Sequence, residues 1–262
     1  MRLPIYQVDA FTDRLFAGNP AAIVPLEQWL PAPTMQAIAA ENNLAETAFF
    51  VRERDGYALR WFTPTVEVDL CGHATLASAY VIFRFLEPRC DRIDFRTLKA
   101  GTLSVTRQGD ALVMDFPAWP PERCPVPPEL AAALGGRPQH MLRFQQRYLA
   151  VFDDRAAVAA LAPDFNELRR QGYGDLIVTA PGSDGVDFVS RFFAPAHGID
   201  EDPVTGSAHC VLTPYWAKRL GKTQLEARQI STRGGALSCT LAGGRVVIAG
   251  CCVLYLDGAI TV

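Results

Sequence analysis

Arg60-Trp61-Phe62-Thr63-Pro64 recurs as Arg191-Phe192-Phe193-Ala194-Pro195, half of the 262-residue chain further on. Both neighbourhoods repeat as well. Upstream, Asp55-Gly56 and Asp184-Gly185 each sit between apolar runs, the pattern of a tight hairpin. Downstream, an acidic pair precedes a glycine that opens a helix, Gly72-His73-Ala74 in one copy and Gly206-Ser207-Ala208 in the other. The same order of elements occurring twice points to an internal duplication. It predicts an α+β fold of two similar domains, residues 1–118 and 119–262, with the last strands free to pack on the first domain. The Pro-rich stretch Pro117 to Pro128 is the expected linker.

Within the first half, Ile5 to Thr12 and Ala21 to Val24 read as strands around a Gly18-Asn19-Pro20 turn. A helix is expected from a Thr34 N-cap to about Asn42, then the hairpin Thr47 to Val51 and Ala58 to Phe62. The helix His73 to Leu86 has almost no polar face, so it must be enclosed, and a curved sheet wrapped around it would do this. In the second half, Leu142 to Phe152, Leu176 to Ala180 and Phe188 to Phe193 read as strands. Ala156 to Leu161 and Ser207 to Leu220 read as helices, the latter stopped by Gly221 and bent at Pro214. Gly243-Gly244 reads as a hairpin turn.

Composition narrows the function. Twenty-five Lys plus Arg stand against 28 Asp plus Glu, a net charge of -3, so no basic surface for nucleic acid is expected. The longest weakly apolar stretch, Ala74 to Phe83, is half of what a bilayer requires, and no membrane partner is expected. The opening residues carry no apolar block of the secretory kind, so a cytoplasmic location is expected. Seven cysteines at irregular spacings read as small buried hydrophobes rather than as a disulfide framework. No G-x-G-x-x-G follows a strand and no Walker lysine loop occurs, so no cofactor is expected. Cys71 and His73 supply only two metal ligands, so no metal site is expected either.

What chemistry remains lies at the two helix openings. Each offers unpaired first-turn amides and the positive end of a helix dipole, able to hold a carboxylate or an enolate. Asp202-Pro203-Val204-Thr205-Gly206-Ser207 adds a carboxylate and two hydroxyls, and Cys71-Gly72-His73 adds a thiol and an imidazole. Asp202, Thr205 and Ser207 also read simply as helix caps, and Glu46 as an acid at a helix end or strand edge. His140 and His197 read as loop residues, His209 and Cys210 as packing.

Four motifs in order, Val8-Asp9-Ala10-Phe11-Thr12 with Gly18-Asn19-Pro20, Asn43-Leu44-Ala45-Glu46-Thr47-Ala48-Phe49, Cys71-Gly72-His73-Ala74-Thr75 and Glu201-Asp202-Pro203-Val204-Thr205-Gly206-Ser207-Ala208, resemble the PhzF-like family of phenazine biosynthesis. The resemblance spans nearly the whole chain. It implies the diaminopimelate epimerase type of fold, two mostly antiparallel curved sheets each clasping a central helix, assembled as a homodimer with a cleft between the domains. It also implies cofactor-independent isomerisation of a small carboxylic acid by proton transfer at carbon. By the same likeness Glu46 is the general acid/base and His73 its partner, while Asp202 orients His73 or binds a substrate amine. Gly72, Gly206, Ser207, Thr205 and Asn19 are then the substrate-binding set. A free Glu, with a pKa of about 4.3, is a poor base for a carbon acid, so the role calls for burial. Two-thiol racemases place a cysteine at both openings, whereas here only Cys71 is present. The rival readings are a non-catalytic interaction protein on the same fold and an enzyme using Cys71 as a nucleophile.

Overall fold

A computed structural model describes residues 1–262, the side chain of His197 excepted, so the expectation for that side chain lies outside the described residues. The chain forms two compact units, Met1–Asp115 with Ala249–Val262, and Phe116–Ile248.

In the first unit, β1 (Arg2–Ala10) lies between β2 (Asn19–Leu26) and the closing strand Cys252–Thr261, antiparallel to both. Helix α1 (Ala32–Asn42) then crosses over, so β3 (Glu46–Glu53) runs parallel to β2. β4 (Gly56–Phe62) returns antiparallel through the Asp55-Gly56 turn. There Gly56 has φ +130, and a Cβ would lie 2.2 Å from the Asp94 carbonyl oxygen. Helix α2 (Gly72–Val81) makes the next crossover, to Arg92–Arg96 parallel to β4, followed by the antiparallel strands Thr102–Gln108 and Ala111–Pro117. All of α2 is buried except Gly72 and Tyr80, against β1, β2, β3 and the closing strand. Its polar side chains turn back on the helix: Thr75 Oγ1 donates to the Cys71 carbonyl (2.6 Å) and Ser78 Oγ to that of Ala74 (2.7 Å).

The second unit repeats this plan. His140–Phe144 and Arg147–Val151 are antiparallel, Arg147–Val151 and Asp175–Pro181 parallel, and Asp175–Pro181 and Phe188–Ala194 antiparallel. Phe188–Ala194 then runs parallel to Gln224–Gln229, which is antiparallel to Gly235–Ala242. The helix Gly206–Leu220 crosses over where α2 does in the first unit. The duplication in sequence is therefore a duplication of strand order and sense, and the repeated Arg60 and Arg191 motifs occupy equivalent strands.

Several boundaries differ from those expected. Helix α1 begins at Ala32, not at a Thr34 cap: Pro31 and Pro33 pre-set the backbone of its first turn. α2 is α-helical only to Val81. Ile82–Leu86 widens into a π-turn in which the Glu87 N–H reaches the Ile82 carbonyl (2.7 Å), just before Pro88. The segment from Leu142 to Phe152 is a hairpin whose turn holds Gln145 at φ +53. The Pro-rich stretch is docked rather than loose. Glu122–Cys124 pairs with His140–Phe144, and Trp119 stacks on Phe144 with ring centroids 5.6 Å apart. Pro214 is what fastens it. Lacking an N–H, it leaves the Cys210 carbonyl without its helical partner, and the Trp119 N–H donates there at 2.9 Å. Among the described residues no helix is long and apolar enough to cross a membrane.

Candidate active site

The parallel pairing of β2 with β3 sets Ala21 opposite Glu46, so Asn19 and Glu46 stand at the same end of adjacent strands. α2 begins beside them. Its second residue, His73, is buried and bridges the group: Nε2 lies 3.0 Å from Glu46 Oε2, and Nδ1 lies 3.1 Å from the Asn19 amide nitrogen. Cys71 Sγ is 3.5 Å from the same Nδ1. With the Asn19 amide donating to Nδ1, the proton of a neutral imidazole sits on Nε2 and faces the carboxylate. Glu46 Oε2 and His73 Nε2 are both buried and face each other at ion-pair distance. Glu46 keeps a narrow opening, its side chain 13% exposed against 6% for His73.

Burial alone would lower the pKa of His73, but Cys71 and Glu46 beside it hold it well above the usual imidazole value. Burial, with Glu46 adding to it, pushes the Cys71 thiol up to about 11. Cys71 is thus a neutral thiol at neutral pH, and the charge that favours imidazolium comes from Glu46. The same thiol is a poor nucleophile, which counts against a Cys71 thiol enzyme.

Glu46, Cys71 and His73 bring potential metal-ligand atoms within 4.8 Å of one another, a third ligand that the Cys-x-His spacing alone does not reveal. They do not form a chelate as they stand, because Glu46 and Cys71 address opposite nitrogens of the ring.

The equivalent opening in the second unit is built differently. Thr205 is the N-cap of Gly206–Leu220 but makes no side-chain cap bond; its hydroxyl donates to Asp202 Oδ2 instead. Gln229 clamps this turn. Its Nε2 donates to the Asp202 carbonyl (2.7 Å), and its Oε1 accepts from the Thr205 N–H (2.9 Å). Gly206 is buried as the first helical residue, and Ser207 follows half-buried. The Ser207 carbonyl accepts from Arg147 (3.2 Å), itself paired with Asp175 (2.8 Å). His209 is fully buried, its Nδ1 donating to the Thr205 carbonyl (2.8 Å), and burial lowers its pKa to about 4.

Gln229 is absent from the residues picked out in the sequence. A signal existed: Gln224–Gln229 alternates exposed and buried, and Gln229 is a polar residue on the buried face. Asn19 was picked out to bind substrate, yet its side chain is fully buried and its amide is spent on His73.

Known proteins resemble the chain over its whole length. The chain is 53% identical over 260 residues to an uncharacterized isomerase of Pseudomonas aeruginosa, covering 99% of each. It superposes on a PhzF-family crystal structure from Enterococcus faecalis with a TM-score of 0.96 at 48% identity, covering 100% of both chains. A hydroxyproline epimerase from Agrobacterium vitis shares the fold at a TM-score of 0.61 and 11% identity. A family profile described as phenazine biosynthesis-like protein matches residues 8–258, and the chain belongs to that family, PhzC-PhzF.

Proposed function

We propose that the chain, an isomerase by family, moves a proton at a carbon atom of a small carboxylic acid without a cofactor, with Glu46 as the general acid/base. The observation that carries this reading is the buried Glu46–His73 pair, 3.0 Å apart. A buried carboxylate and imidazole facing each other at this distance are suited to taking and returning a proton. His73 holds the proton in transit or donates to the substrate. Asn19, through Nδ1, positions His73. Amides at Gly72, in the first turn of α2, hold the carboxylate or enolate oxygen that develops when the proton leaves. The reading assigns Asp202, Thr205, Gly206 and Ser207 to the substrate's remaining polar groups, on the strength of the matching motif. Kinship also supports a homodimer, checked by light scattering.

Deuterium wash-in tests the proposal. Candidate amino and hydroxy acids are incubated in heavy water with wild type and Glu46→Gln. Exchange at carbon is expected in wild type and about 10²- to 10⁴-fold slower in the variant, the usual share of general acid–base catalysis. Equal exchange in both proteins removes Glu46 from its role. Ligands that bind wild type without any exchange favour an interaction protein on this fold.

A further inference from the structure

The docked Pro-rich segment and the helix Gly206–Leu220 line an open cavity of about 760 Å³ within the second unit, in the size range of small-molecule sites. Its lining is unlike the rest of an acidic chain: Arg123, Lys218 and Arg219 against a single carboxylate, Glu122. Elsewhere arginines are matched to acids, as in Arg60–Glu67, Arg147–Asp175 and Arg191–Glu201. Among the described residues, none of the three cavity cations has a carboxylate partner. A hydrogen-bonded chain runs along the wall. Arg219 donates to the Tyr215 hydroxyl (2.9 Å), which lies 3.1 Å from His140 Nε2. The remaining walls are stiff and apolar: Pro120, Pro121, Pro214 and Leu142.

We propose that this cavity, which shares no lining residue with the Glu46–His73 pair, is a second binding site for a phosphate monoester carrying a flat apolar group. Three unmatched cations from two elements suit a dianion, and two of them are arginines, which grip phosphate oxygens in a forked geometry. The proline walls and the Tyr215 ring suit a flat apolar body. His140 registers the positive field: burial, then Arg123 and Arg219, push its pKa down. The titratable and charged groups around it are Tyr215, Lys218 and Arg219 on the helix, and Glu122 and Arg123 on the strand. A bound dianion offsets that field, so His140 gains affinity for a proton when the site fills. By linkage, anion binding tightens as His140 becomes protonated.

Calorimetric titration of the full chain at physiological salt tests this, with phenyl phosphate, inorganic phosphate, benzoate and sulfate as probes. Saturable binding is expected with phenyl phosphate, tighter than inorganic phosphate and much tighter than benzoate. Arg219→Gln, on the exposed side of the helix, is expected to weaken it about tenfold or more, the scale of one charge-assisted contact. Sulfate keeps its charge throughout, so its affinity isolates His140. It should rise between about pH 7.5 and about pH 5.5 in wild type and stay flat in His140→Gln. Absence of saturable binding overturns the proposal, as does binding that is alike for all four anions and unchanged in Arg219→Gln. Phenyl phosphate binding no tighter than inorganic phosphate removes the apolar half of the assignment.

Discussion

His73 and His209 occupy the first turns of equivalent helices and are held in opposite states. His73 takes its proton more readily in the folded chain than in the unfolded one, because burial is outweighed by the Glu46 carboxylate beside it. The stabilisation it provides is full below about pH 6.5 and disappears as pH climbs through its raised folded value. His209 is the reverse. With a folded pKa of about 4, it provides stabilisation that is full above about pH 6.5 and lost as pH falls toward 4. The loss is on the order of 3 kcal/mol. Thermal melts across pH should show His209→Gln flattening the acid side of the wild-type profile and His73→Gln flattening the alkaline side. A profile that neither variant alters would contradict both assignments. Gly18 governs a different detail. It has φ +67, and a Cβ there would meet the Ala10 carbonyl oxygen at 2.2 Å. Gly18→Ala is expected to cost more than about 2 kcal/mol in denaturant melts. It should also pull Asn19 off His73, which nitrogen-15 NMR of the imidazole would register as a changed Nδ1 shift.

Among the elements, the Gly206–Leu220 helix makes the least obvious prediction. Proline inside a helix ordinarily weakens it by about 3 kcal/mol, so Pro214→Ala should strengthen this one. Yet the restored N–H would reclaim the Cys210 carbonyl, which now holds the Trp119 amide. Hydrogen exchange should therefore slow within the helix and speed up around Trp119, and no change at Trp119 would show that the segment is docked by its ring contacts alone. The place of Pro214 inside the helix was legible in sequence, but its use was not, because the partner lies in a distant proline-rich stretch. The same holds for the candidate site. Burial of α2 follows from its apolar circumference, and Glu46 and His73 stand out by their motifs. The convergence of Asn19 and Glu46 on His73 depends on the parallel register of β2 and β3, which no local pattern encodes. The Gln229 clamp was detectable only as a polar residue out of place in an alternating strand.

For the molecule as a whole, the repeat centred on Arg60 and Arg191 was enough to predict two copies of one plan, since a repeated order of hairpin, helix opening and crossover leaves little topological choice. The copies are unequally distributed along the chain, in the sense expected of last strands that pack on the first domain. The second unit is one continuous run, Phe116–Ile248, whereas the first borrows Ala249–Val262, including the strand Cys252–Thr261 that covers β1. A Phe116–Ile248 fragment is accordingly expected to fold alone, with a cooperative melt. Met1–Asp115 should expose an unpaired β1 edge and aggregate. Both fragments folding equally well would refute the asymmetry. On a ribosome this reverses the usual order in which domains mature. The half made first must wait, with one margin of its sheet open, until residues 249–262 emerge, while the half made second can settle before it.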